Sequence, residues 1–209
     1  MKTKLVCVTL LLAAMVLSGC SRTVALFNGK NLDGWQPVLK DASVDPAAVW
    51  SVRNGVLRCE GEPFGYIRTT EAYSNYRLRI EWRWPETPTN SGVLLHITGP
   101  DAIWPACIEA QLQHQNAGDF ITLGGSTFAE KKDKNRIPRQ HDSSEKEPGQ
   151  WNRYDITCQG DTITLVVNGL LQNTATKTSL VSGPIALQSE GSPIEFRNIT
   201  LTPLKQESL

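Results

Sequence analysis

"YDITCQGDTITLVVNGLLQ", residues 154–172, sets short alternating runs around two turn signals, Gly160-Asp161 and Asn168-Gly169. Ile156 and Cys158 fall in phase on one side of the first run. Two-residue connections rich in Asn and Gly close hairpins, because these residues accept the positive φ that primed turns require. Alternation with period two between tight turns reads as antiparallel sheet with one face buried. The same signature recurs outward along the chain. "WSVRNGVLRCEG" (50–61) carries Asn54-Gly55 between two runs, with Leu57 and Cys59 in phase. "NYRLRIEWRW" (75–84) puts Tyr76, Leu78, Ile80, Trp82 and Trp84 on one side and Arg77, Arg79, Glu81 and Arg83 on the other. "SGVLLHI" (91–97), "GPIALQ" (183–188) and "PIEFRNITLTPL" (193–204) are further strands, and no amphipathic helix competes with them. Many short strands between regular turns predict an all-β, two-sheet antiparallel β-sandwich.

The 209 residues are 40% hydrophobic and 20% charged, with a formal net charge of 0. This is ordinary globular composition, and balanced charge argues against a nucleic-acid partner or an anionic membrane held by a basic face. Residues 1–19 read as an export signal: Lys2 and Lys4, then the uncharged run 5–16, then "LSGC" at 17–20. The run is too short to span a bilayer. Small residues before Cys20 resemble the bacterial lipoprotein cleavage box. That makes Cys20 the lipidated first residue of a single domain over 20–209, and its lipid the only membrane contact. The expected location is then the bacterial cell envelope. Removing Lys2 and Lys4 leaves 19 basic against 21 acidic residues.

Cys59, Cys107 and Cys158 allow one disulfide at most, and the phase of Cys59 and Cys158 suggests buried thiols. His96, His114 and His141 are scattered, and no zinc spacing occurs, so no metal and no cofactor is expected. Residues 129–150, "AEKKDKNRIPRQHDSSEKEPGQ", are polar and aperiodic. They read as a long exposed loop and a candidate lid.

The chemistry suggested by the sequence lies in the polar phases. In "IEAQLQHQ" (108–115), Glu109, Gln111, Gln113 and Gln115 oppose Ile108, Ala110 and Leu112. His114 falls in the apolar phase and reads as a buried structural residue. Glu81, Arg83, His96, Gln188 and Arg197 are likewise long polar groups on strand faces. Planar donors and acceptors of this kind pair with vicinal hydroxyls, and a flat apolar ring such as Trp104, just before this strand, can stack on a sugar. A carbohydrate is therefore the expected partner. Standard sandwich-fold glycosidases need two carboxylates, whereas this strand has one, so that chemistry requires Glu81 or Glu190 to come close in space.

"LFNGKNLDGW" (26–35), "EWRW" (81–84), "NSGVLLH" (90–96), "EAQLQ" (109–113), "GQWNRYDI" (149–156) and "GPIALQSEGSPIEFRNI" (183–199) occur in this order. Together they resemble the 3-keto-disaccharide hydrolase domain family. The resemblance implies a concanavalin A-like jelly roll acting on glycosides already oxidised at carbon 3. There the ketone acidifies the proton on carbon 2, so one base suffices: abstraction, elimination at carbon 1, then hydration. Carried over by position, E-x-Q falls on Glu109 and Gln111, and Glu109 is expected as base or orienting carboxylate, with Glu81 and His96 as alternatives. Arg83, Asn90, Trp104, Gln111, Gln113, Gln188, Glu190 and Arg197 are the expected substrate-binding residues, Arg83 and Arg197 being donors or structural ion-pair members. Many members carry other residues at positions 96, 114 and 190. A non-catalytic carbohydrate-binding module is the alternative reading.

Overall fold

The computed structural model describes residues 22–205; the export signal and Cys20 lie outside the described residues. Two antiparallel sheets face each other. Sheet A holds β1 (Val24–Ala25), β3 (Trp50–Arg53), β4 (Val56–Cys59), β6 (Tyr76–Arg83), β11 (Asn152–Gln159), β12 (Thr162–Val167), β13 (Leu170–Ala175) and β15 (Ile194–Pro203). Sheet B holds β2 (Trp35–Leu39), β5 (Gly65–Thr69), β7 (Gly92–Thr98), β8 (Ala106–Gln111), β9 (Phe120–Leu123), β10 (Arg136–Ile137) and β14 (Ala186–Ser189). Its order is β10-β9-β8-β7-β14-β5-β2. The one described helix is a single turn, α1 (Pro46–Val49), capped by the Asp45 carboxylate. The sandwich expected from the alternation is the fold observed.

The turns form where Asn and Gly place them. Asn54 and Gly55 join β3 to β4 at φ 52° and 77°, and Asn168 and Gly169 join β12 to β13 at 51° and 89°. β6 lies between β11 and β15, and its Tyr76, Leu78, Ile80 and Trp82 are fully buried between the sheets. Val93, Leu95, Ile108, Ala110 and Leu187 meet them from sheet B. Cys59, Cys107 and Cys158 are free and buried, and burial pushes the Cys59 thiol up to about 11 and Cys158 to about 12.

Three sequence expectations fail on backbone detail. The strand expected over 108–115 begins earlier and stops at Gln111, whose side-chain oxygen accepts from the N–H groups of Leu112 and Gln113 at 2.8 Å each. Gln113, His114 and Gln115 therefore leave the strand, and His114 is part-exposed beside Glu145 rather than buried. A bulge in β7 after Leu95 puts His96 at φ 57°. A one-residue slip reverses the facing of the later residues in a strand, so the His96 ring turns inward while Ile97 goes outward.

Segment 129–150 is not a free loop. β10 pairs with β9, and Gln172 and Asn173 of β13 tie down the rest. Asn173 Nδ2 donates to the carbonyls of Pro138 and Gly118, at 3.1 and 3.2 Å, and Gln172 Nε2 donates to that of Asp142 at 3.1 Å. Buried side-chain amides replace the apolar face that the segment lacks. Asn173→Ala leaves those carbonyls unpartnered and should lower stability by about 1–3 kcal/mol. Limited proteolysis should then cut within 129–150, where the wild type resists; an unchanged melting temperature and cutting pattern would refute this anchoring.

Candidate functional site

The outer face of sheet B gathers polar side chains that have no partner. Register places Leu94 between Glu109 of β8 and Ala186 of β14. Gln188, two residues on, pairs with Tyr66 of β5. Beyond it Glu190 bridges Asn90 across the end of β7. Glu109, Gln188 and Glu190 thus share one face. The Glu109 side chain leans over Gly92, where any Cβ would collide with the carboxylate. Glycine is required there by close approach rather than by φ.

The site is closed from above. Residues 99–105 leave β7 and cross this face. Asp101 accepts from Tyr66 Oη at 3.1 Å and from Arg68 Nε and Nη2 at 2.9 and 3.0 Å. Trp104 sets its edge against Phe64, with ring centroids 6.2 Å apart, and remains 44% exposed. Beneath lies a small apolar cluster of Tyr66, Leu94, Ile97, Cys107 and Ala186, separate from the inter-sheet core. Ile97 reaches it only because of the β7 bulge.

Glu109 is 3% exposed and Gln188 1%. Glu109 Oε1, Asn90 Oδ1 and both amide atoms of Gln188 make no hydrogen bond. Buried unpartnered atoms also occur elsewhere, on the indoles of Trp50, Trp82 and Trp84 in the core and on His114 and Glu145, which face each other at 3.5 Å. Those of Glu109, Gln188 and Asn90 share one surface, as groups awaiting a hydroxylated ligand do. Burial raises the Glu109 carboxyl to about 8, the negative charge of Glu190 adds to this, and Arg136 opposes it. Arg136 compensates poorly because its own donors go to Asp119 at 2.7 Å and Gln113 at 2.8 Å. Glu190 is half-buried and also raised by burial, against a hydrogen bond from Asn90.

Not every expected residue converges here. Glu109, Asn90, Gln188 and Glu190 do, with Trp104 on the crossing segment. Gln111 shares the face but spends its side-chain oxygen ending β8, and Gln113 is held by Arg136. His96 is withdrawn into the core, where Nδ1 donates to Leu180 O at 3.0 Å and Nε2 accepts from Tyr76 Oη at 3.2 Å. Glu81, Arg83 and Arg197 stand on the outer face of sheet A, across the sandwich. There Arg197 pairs with Glu81 and Arg83 with Glu195, each at 2.7 Å, and the Trp151 ring covers both guanidiniums at 4.0 and 4.7 Å. They cannot reach a ligand bound at Glu109. The Asp101–Arg68–Tyr66 clamp went unforeseen, since no spacing links these positions. Among the described residues, no three His, Cys, Asp or Glu side chains gather as a metal site would.

Two stacked antiparallel sheets with a polar, partly unpartnered outer face define a jelly-roll sandwich. The chain belongs to the 3-keto-alpha-glucoside-1,2-lyase-like domain family, matched over residues 22–202. Among solved structures it resembles a candidate glycosyl hydrolase of Parabacteroides distasonis ATCC 8503, at 26% identity and TM-score 0.66, over 88% of this chain and 100% of that one. The Bacillus licheniformis β-glucanase shares the fold at 15% identity and TM-score 0.57, over 90% and 100%. So does the carbohydrate-binding module CBM66 of Bacillus subtilis, at 11% identity and TM-score 0.59, over 81% and 95%. No curated protein matches the chain.

The Glu109 carboxyl ordinarily titrates at 4.5 and here at about 8. Below pH 4.5 it is neutral folded and unfolded. Between those values only the unfolded chain ionises it, so stability falls as pH rises through that window and levels off above it. Glu109→Gln has no charge to desolvate. It should match wild type near pH 4.5 and exceed it by on the order of 2–4 kcal/mol at pH 8. Denaturant melts at both pH values check this; equal stability differences at the two would show that the carboxyl is not held neutral.

Proposed function

We propose that the protein cleaves glycosides whose sugar carries a ketone at carbon 3, by proton abstraction at carbon 2, elimination at carbon 1 and hydration. The observation that carries this reading is the buried, largely uncharged Glu109 carboxyl set on one face with the unpartnered amide of Gln188 and the unpartnered Oδ1 of Asn90. A retaining glycosidase needs an ionised nucleophile in a polar or cationic setting. Glu109 therefore does not suit that nucleophile's role: it is 3% exposed, and the Arg136 guanidinium that acts on it is engaged by Asp119 and Gln113. Elimination needs no nucleophile. It needs proton-transfer groups, supplied by Glu109 and its neighbour Glu190, and donors for the enolate oxygen at carbon 3, supplied by Gln188 Nε2. Trp104 offers an exposed ring at the margin for a second sugar.

A binding module is the second reading, favoured by the likeness to CBM66. One experiment separates the two. Wild type should turn over a 3-keto-disaccharide and not its unoxidised parent, because only the ketone makes the carbon-2 proton acidic. Glu109→Gln should lose roughly 10²–10⁴ in kcat on the keto-disaccharide while still binding it. Equal cleavage of the unoxidised disaccharide would overturn the elimination route, and binding of both without turnover would favour the module.

The same reading puts the protein at the bacterial envelope, anchored by acylated Cys20, on the strength of residues 1–20. Cys20→Ala should move it from the membrane fraction to the soluble one. A wild-type protein already soluble would refute the anchor.

A further inference from the structure

The face that carries Glu109 holds a second carboxyl whose setting differs in kind. Glu190 lies two residues beyond Gln188, in the same phase, where its backbone bridges Asn90. It is half-buried, just past the end of β14. Glu109 is 3% exposed, folded over Gly92, with Oε1 unpartnered. The charged groups facing the pair are few. Arg136 is engaged by Asp119 and Gln113, Arg68 by Asp101, and Glu62 adds a further negative charge beside Glu190. With no free cation beside them, the charge of one carboxyl makes ionising the other costlier, so one of the two holds a proton in preference. The proton resides on the member that water cannot reach, and the charge on the member that it can.

We propose that Glu190 is the base that takes the carbon-2 proton, and that Glu109 is the proton donor to the departing oxygen. This rests on the elimination reading above and divides its work between the two groups. The Glu190 carboxylate accepts the proton from carbon 2, and the electron pair of that C–H bond forms the enolate, whose oxygen takes the Gln188 N–H. The enolate collapses to a double bond between carbons 1 and 2 as the carbon 1–oxygen bond breaks. The leaving oxygen takes the Glu109 proton and departs as an alcohol. Water then adds to carbon 1, giving one proton back to Glu109, while Glu190 returns its proton to carbon 2. Both carboxyls end as they began, and no oxidant or metal enters the balance. The placement is economical: the buried acid sits over the middle of the sheet, and the base just past the end of β14 beside Asn90.

Two measurements test the division. The first follows hydrogen–deuterium exchange at carbon 2 of 3-keto-1,5-anhydroglucitol, which has no group to expel, by NMR in deuterium oxide. Wild type should accelerate exchange over buffer. Glu109→Gln should retain that acceleration within several-fold, and Glu190→Gln should lose about 10²–10⁴ of it. The second compares leaving groups. Glu109→Gln should lose about 10² or more on a 3-keto-disaccharide and stay near wild type on the 4-nitrophenyl 3-keto-glucoside, whose phenolate leaves unprotonated. Glu190→Gln should slow both alike. Melting temperatures establish that each variant is folded, and Glu190→Asp should recover part of the exchange. Loss of exchange in Glu109→Gln with retention in Glu190→Gln would reverse the assignment and overturn it. Loss in both variants would overturn it too. A wild type that neither exchanges nor cleaves would instead bring down the elimination reading, an outcome distinct from either reversal.

Discussion

Successive residues of a strand face opposite ways, so every side chain on sheet B is committed to the core or to the outer face unless the backbone slips by one. The slip in β7 after Leu95 decides what the outer face can do. In regular phase His96 would stand on that face beyond Leu94, and Ile97 would enter the core. The bulge exchanges them. His96 is taken up by Leu180 and Tyr76, and Ile97 helps close the apolar cluster that the crossing segment 99–105 covers. An imidazole is thereby withdrawn from that face, leaving Glu109 and Glu190 on it.

Burial then divides those carboxyls. Glu109 sits where a charge is costly, and the fold does little to relieve it: the Arg136 guanidinium is spent on Asp119 and Gln113, and Gly92 gives the carboxyl room to lie flat. A group that lowers stability across the neutral range, held on a face with other unpartnered atoms, is what functional sites accept and cores do not. The Asp101 clamp belongs to the same arrangement. It ties the crossing segment to β5.

The parts of this structure legible in the sequence are those ruled by local chemistry. Asn54-Gly55 and Asn168-Gly169 announce their hairpins because positive φ is a property of the residue pair. β6 announces its buried side because its alternation is unbroken. Glu109 stands out as the carboxylate in a run of carboxamides. What stays hidden is set at a distance. The bulge at His96 is not written in "SGVLLHI", since the slip is stabilised by Tyr76 and Leu180, far along the chain. The end of β8 at Gln111 depends on a side chain turning back on its own backbone, and "IEAQLQHQ" would read equally well as a longer strand. Segment 129–150 looks unanchored because its anchors, Gln172 and Asn173, lie in another strand.

The two outer faces show why residue type alone misleads. Glu81, Arg83 and Arg197 resemble a recognition set as strongly as Glu109 and Gln188 do, and both groups sit in segments that carry the family likeness. On sheet A the charged groups neutralise one another and lie under Trp151, so a ligand would have to break existing pairs before making its own. On sheet B, Gln188 offers a donor and an acceptor with nothing to break. A hydroxylated ligand gains full hydrogen bonds there, while at Arg197 it would gain only the difference between its own bond and the carboxylate's. The distinction lies in what each side chain already holds. It favours, as the candidate ligand surface, the face where β7, β8 and β14 leave their polar groups unmatched.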